Sequence, residues 1–197
     1  MKKVEFGKKA RTKLVEGIDI LADAVVSTLG PNGRNVFIQK GIVEPPQSTK
    51  DGVTVARSIV LKDPELEMGV QAMKYAAIKT ADKAGDGTTT STLLAREMVH
   101  AGLEGLNNGE NAVKIKRDID KSVKQVVSKL KDIAEDISDE SQLTQIATVS
   151  ANNDEEIGSL ISTGIEKVGP KGVVHIETSK TGETYIETVE GMQFSRG

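Results

Sequence analysis

From Ile115 to Ile137 the chain sets Ile115, Ile119, Val123, Val126, Leu130, Ile133 and Ile137 at steps of four, four, three, four, three and four. A helix turns once in about 3.6 residues, so this spacing lines all seven side chains along one face and excludes a strand. Its other faces carry Lys114, Lys116, Arg117, Lys121, Lys124, Lys129 and Lys131, with Asp118 and Asp120 among them. Solvation explains that basic face better than nucleic acid does, because no aromatic side chain is interleaved to stack on a base. The same period runs through Ala10, Leu14, Ile18, Leu21, Val25 and Leu29 up to Gly30-Pro31, and through Leu66, Val70, Met73, Ala77 and Ala81. Asp63-Pro64 starts the latter helix, an N-cap followed by proline at the first helical position, and Gly85 ends it. Three such stripes require packed helices.

Aromatic residues make up only 3% of the 197 residues, so the core must be built from Ala, Val, Ile, Leu and Met. That length supports one or two domains. A net charge of −3 argues against a sequence-independent nucleic-acid binder. The absence of cysteine excludes disulfides, zinc–thiolate sites and thiol nucleophiles. His100 and His175 lie far apart in sequence and read as surface side chains. Met1-Lys2-Lys3 is followed by no apolar segment of signal-peptide type, and no apolar run has the length of a membrane span. The expectation is a soluble cytoplasmic protein with neither a nucleic-acid nor a membrane partner.

Asn35-Val36-Phe37-Ile38-Gln39 reads as a short strand, and Lys50-Asp51-Gly52 as a charged turn followed by Val53, Val55 and Ile59. Past Ser138 the character changes. Asn152 and Asn153, followed by Glu155 and Glu156, suggest a capped helix over Ile157, Leu160, Ile161 and Val168, stopped by Gly169-Pro170. Gly172–Glu177 and Tyr185–Glu190 read as strands around the turn Ser179-Lys-Thr-Gly182. The fold class is mostly α with small β elements (α+β), a helical domain giving way to a smaller module. A two-stranded hairpin alone is marginal in water, so the ending Gly191–Gly197 reads as that of a piece of a longer protein.

Three glycine-bearing loops join these elements: Thr28-Leu-Gly-Pro-Asn-Gly33, Thr49-Lys-Asp-Gly52 and Gly85-Asp-Gly-Thr-Thr-Thr90. Thr88, Thr89 and Thr90 at a helix start cost roughly 1–2 kcal/mol against alanine. Two readings of the third loop stand side by side. Either Asp86 simply caps the helix, or amides, hydroxyls and the positive helix end face a phosphate. Neither GxxxxGK[ST] nor a GxGxxG after a strand occurs, which argues against a P-loop or Rossmann site.

TLGPNGRNV, TKDGVTVAR, AGDGTTT, ATVSANNDEEIG, EKVGPKGVV and VEGMQF, in this order, resemble a group I chaperonin, the GroEL-type heat-shock protein, from about Val4 to Gly197. The resemblance implies an equatorial ATP-binding domain over 1–133, an intermediate hinge domain over 134–190 and the start of an apical domain over 191–197. By the same resemblance Thr28, Leu29, Gly30 and Pro31 line the nucleotide, and Lys50 lies near the phosphates. Asp51 helps place the attacking water, Asp86 holds the metal, and Gly87, Thr88, Thr89 and Thr90 cradle the phosphates. The implied cofactors are ATP and Mg²⁺. The implied partners are further copies of the chain in a double heptameric ring, a GroES-type co-chaperonin and unfolded client proteins.

A carboxylate some 4 Å from a phosphate charge costs about 4 kcal/mol at an effective dielectric of 20, and a divalent cation between them reverses the sign. Capping and phosphate binding by Asp86 are then expected as one geometry. The chain departs from the family pattern at Asp136, in the 40–48 loop and at Ser195. Two other classes are a short chaperonin-derived nucleotide- or partner-binding protein without folding activity, and an unrelated phosphotransferase.

Overall fold

The computed structural model describes residues 4–169, 172–189 and 191. Pro170, expected to stop a helix, Glu190, expected to end a strand, and 192–197, expected to open the apical domain with Ser195, lie outside them. The chain divides into two compact units, residues 1–132 and 133–197.

The first unit holds α1 (Gly7–Val26), β1 (Val36–Ile38), β2 (Gln47–Thr49), α2 (Gly52–Ser58), α3 (Pro64–Ala84), α4 (Thr88–Asn107) and α5 (Ala112–Ile133). Its core takes Ile18, Leu21 and Val25 from α1, Val55 and Ala56 from α2, and Val70, Met73 and Ala77 from α3, with Ala95 and Val99 of α4 packed on it. Each large side chain buried there contributes about 1.5–3 kcal/mol. α1 and α3 meet at glycine. A Cβ on Gly17 would overlap the Leu66 carbonyl, and one on Gly69 would overlap that of Leu14. The two backbones therefore approach more closely than side chains would permit.

α3 starts and stops where its local signals place it. Asp63 caps it by accepting from Glu65 N at 2.8 Å, Pro64 follows, and Gly85 closes it at φ +75°. β1 forms where a strand is expected, pairing antiparallel with β2 in the register Val36–Thr49, Phe37–Ser48 and Ile38–Gln47. β2, α2 and α6 were not signalled by any of these patterns. α5 is a helix as its spacing dictates but ends at Ile133, which leaves Ile137 outside it, and none of its residues is buried. Leu130 is 56% and Ile133 64% exposed.

The second unit pairs α6 (Glu140–Ser150) with α7 (Glu155–Val168). The expected cap of α7 is displaced by one or two residues. Asp154 caps it through Ile157 N at 3.0 Å, while Asn152 and Asn153 take left-handed conformations (φ 58° and 65°) that end α6. The expected strands 172–177 and 185–190 are absent among the described residues, where 172–189 forms no ladder. The turn between them does form, with Thr181 N donating to Ser179 Oγ at 3.2 Å and Gly182 at φ +76°. Among the described residues no helix is long and apolar enough to cross a membrane.

Candidate functional site

The three loops converge beside the N-terminus of α4. The first leaves the C-terminal end of α1, where Thr28 is 8% exposed and its hydroxyl donates to Val25 O at 2.7 Å. Gly33 N to Gly30 O (2.9 Å) and Arg34 N to Ser27 O (2.8 Å) close that loop on itself. Thr28 Oγ1 lies 3.3 Å from Thr89 Oγ1, so the first and third loops touch through a hydroxyl pair. The second loop reaches the same point by backbone. A Cβ on Gly52 would sit 2.8 Å from Thr88 Oγ1 and closer still to Thr89 Oγ1. Only glycine allows α2 to start there.

Two of the predicted acids occupy different positions relative to their helices. Asp51 is the N-cap of α2, with Oδ1 accepting from Val53 N at 3.3 Å and Oδ2 from Thr54 N at 3.0 Å. The Thr54 hydroxyl also donates to Oδ2. Asp86 does not cap α4. That position belongs to Gly87 at φ +81°, no side chain caps the helix, and Asp86 Oδ1 accepts from Gly87 N at 2.6 Å. The expectation that capping and anion binding by Asp86 share one geometry is therefore corrected. A left-handed residue at the cap puts the carboxylate one position too early to reach the second or third amide of the helix.

α4 consequently begins on a glycine that offers no side-chain cap. Thr88 is buried, Thr89 half-buried and Thr90 exposed, and the first backbone bond of the turn runs from Ser91 N to Gly87 O at 2.9 Å. Leu29, Gly30, Pro31, Lys50, Asp86 and Gly87 are all exposed. At Gly30 and Gly87 a Cβ would meet nothing within 4 Å, so both backbones face open space. The structure thus brings together Thr28, Gly52, Thr88 and Thr89 by direct contact.

Amide N–H groups at a helix start, three hydroxyls and an exposed lysine suit an anionic ligand. Among the described residues no cluster of three His, Cys, Asp or Glu side chains could hold a metal unaided. A single exposed carboxylate fits Mg²⁺, which typically takes one or two carboxylates and completes its shell with water and phosphate oxygens. Neither the glycine cap at residue 87 nor the contact at Gly52 is foretold by residue type. A glycine immediately after each acid was the available signal. The groove of about 460 Å³ along α1 and α4, lined by Lys8, Arg11, Asp19, Asp23, Leu103 and others, shares no residue with the three loops.

A model of the TCP-1/cpn60 chaperonin family matches residues 21–197. Two crystal forms of the chaperonin gp146 from bacteriophage EL 2 (Pseudomonas aeruginosa), both in the presence of ATP-BeFx, resemble the chain at 35% identity. Form I superimposes with a TM-score of 0.67 over 80% of this chain and 28% of that one. Form II gives 0.66 over 79% and 27%. The chain therefore spans little more than a quarter of the length of the solved chains it matches.

Proposed function

The chain belongs to the TCP-1/cpn60 chaperonin family, and from that premise we propose that its three converging loops bind ATP with Mg²⁺ to power protein folding. The observation that carries this reading is the meeting of Thr28, Gly52, Thr88 and Thr89 at a helix start whose cap position is a left-handed glycine. The related phage chaperonin in the presence of ATP-BeFx supports the choice of nucleotide.

In this reading Gly87, Thr88, Thr89 and Thr90 offer amides and hydroxyls to the phosphates, Lys50 adds a positive charge, and Thr28, Leu29, Gly30 and Pro31 form the rim. Asp86 holds the metal, which supplies charge neutralisation on the phosphate oxygens. Asp51 orients the attacking water. A carboxylate has about four acceptor positions, so the three bonds Asp51 makes to α2 and Thr54 leave one to spare. The wider reading is a group I subunit of the cytoplasm, working in a double heptameric ring with a GroES-type co-chaperonin on unfolded clients. Its layout is equatorial over 1–133, intermediate over 134–190 and apical from 191.

Amide hydrogen exchange with and without ATP tests the location. ATP with Mg²⁺ is expected to protect residues 28–33, 50–54 and 86–90. Protection confined to other segments, or the same pattern with Mg²⁺ omitted, overturns the assignment.

A further inference from the structure

Lys74 lies midway along α3, on the buried side beside Met73 and Ala77, and is itself only 8% exposed. An ammonium taken out of water costs several kcal/mol unless its donors are satisfied. Here two carbonyls at the end of another helix face the ammonium. Lys74 Nζ donates to Ile59 O at 2.7 Å and reaches Arg57 O at 3.5 Å, where α2 stops. The last carbonyls of a helix have no partners within it, and a cation is favoured beside them. Glu67, on the same helix, completes the clasp by accepting from Leu61 N at 2.7 Å. That backbone bond, then the Gln71 amide and the charge of Lys74, hold the Glu67 carboxyl below its usual range despite partial desolvation.

The other end of α2 is the site. Seven residues span about 10 Å, so little slack separates the clasped carbonyls from Asp51 and Gly52. Val55 and Ala56 are fully buried and fix the rotation of α2 about its axis. The Lys74 bonds fix its position along that axis. Arg57 is exposed, whereas Ile59, which accepts the shorter of the two bonds, is half-buried against the core. A methionine at position 74 would fill the same space without the desolvation cost.

We propose that Lys74 is a positioning residue for Asp51: by clasping the C-terminal end of α2 it holds the N-terminal end of that helix against Thr88 and Thr89. This rests on the reading of the three loops as an ATPase site. Lys74 touches none of the residues assigned to nucleotide, so its loss should misplace the water-orienting carboxylate without removing a binding contact.

The test is steady-state ATP turnover and ATP affinity for Lys74→Met, beside Met73→Ala as a core variant that destabilises the same turn of α3. Lys74→Met is expected to lower kcat by about tenfold with KM within about twofold, since small misplacements are costly at a reacting centre. Met73→Ala should lower the melting temperature and leave kcat per folded molecule unchanged. Equal kcat losses in the two variants, or a Lys74→Met kcat within about twofold of wild type, overturn the proposal. Lys74→Gln, which keeps an uncharged N–H donor group, serves if Lys74→Met does not fold. Failure of both to fold overturns the proposal in favour of a purely structural lysine. Full-length wild-type protein with no ATP turnover would instead remove the ATPase reading itself.

Discussion

Asp51-Gly52 and Asp86-Gly87 place the same dipeptide before two helices, and the two acids end in opposite situations. Gly52 is the first residue of α2, so Asp51 sits at the cap and its carboxylate closes the helix start. Gly87 is itself the cap of α4 in a left-handed conformation, which leaves Asp86 outside the helix and exposed. Glycine at a cap forgoes only about a few tenths of a kcal/mol against a side-chain cap, and α4 accepts that while opening on three threonines. What differs is the conformation of one glycine, and it separates an acid that caps its helix from an acid that stands one residue outside it.

The largest effect should come from removing the contact that joins the two helix starts. Gly52→Ala puts a methyl against the Thr88 and Thr89 hydroxyls, and overpacking of this kind costs about 1–3 kcal/mol. Thermal melting should show that loss together with weakened ATP binding. A melt superimposable on wild type would mean that the loops are not held in contact in solution.

Asp51→Ala follows, at about 1 kcal/mol of stability, because it strands two backbone donors and the Thr54 hydroxyl. Asp51→Asn should recover most of that stability, since asparagine caps about as well. The matching changes at Asp86 should leave the melting temperature within the scatter of a surface substitution, about 0.5 kcal/mol. Chemical denaturation of the four variants measures this directly. Equal destabilisation by Asp51→Ala and Asp86→Ala would erase the distinction.

Much of the scaffold was legible because its signals are local. Asp63-Pro64 and Gly85 mark α3 to the residue, since caps and left-handed turns depend on near neighbours alone. The exposure of α5 was not legible: periodicity reports which side chains share a face, not what lies opposite. The strands expected at 172–177 and 185–190 carry an adequate pattern, but a two-stranded hairpin alone is marginal in water, and 172–189 forms no ladder. At the site, the three loops were legible as glycine turns. Which acid caps depended on a backbone angle at Gly87 that residue type leaves open.

A third acid refines the contrast by a smaller effect. Asp63 caps α3, and its carboxyl is held below its usual value of 3.8, first by the Glu65 amide and then by Lys13. A depressed carboxyl stabilises the fold above the unfolded value and loses that contribution as pH falls through the folded one. Glu67 acts in the same direction. In the second unit Glu166 acts oppositely, raised by desolvation and by Glu140, so its penalty is relieved on acidification. Asp63→Asn keeps a cap but removes one titration, so its melting temperature should fall less steeply than wild type below pH 3.8. Parallel slopes would contradict this.

ATP turnover of Asp86→Asn in the full-length protein across a Mg²⁺ titration, with its melting temperature recorded alongside, tests the separation of the two acids most directly. Asparagine keeps the shape and removes the charged oxygen ligand. The account predicts turnover reduced by orders of magnitude at every Mg²⁺ concentration, with the melting temperature unmoved. Wild-type turnover at saturating Mg²⁺ would contradict it.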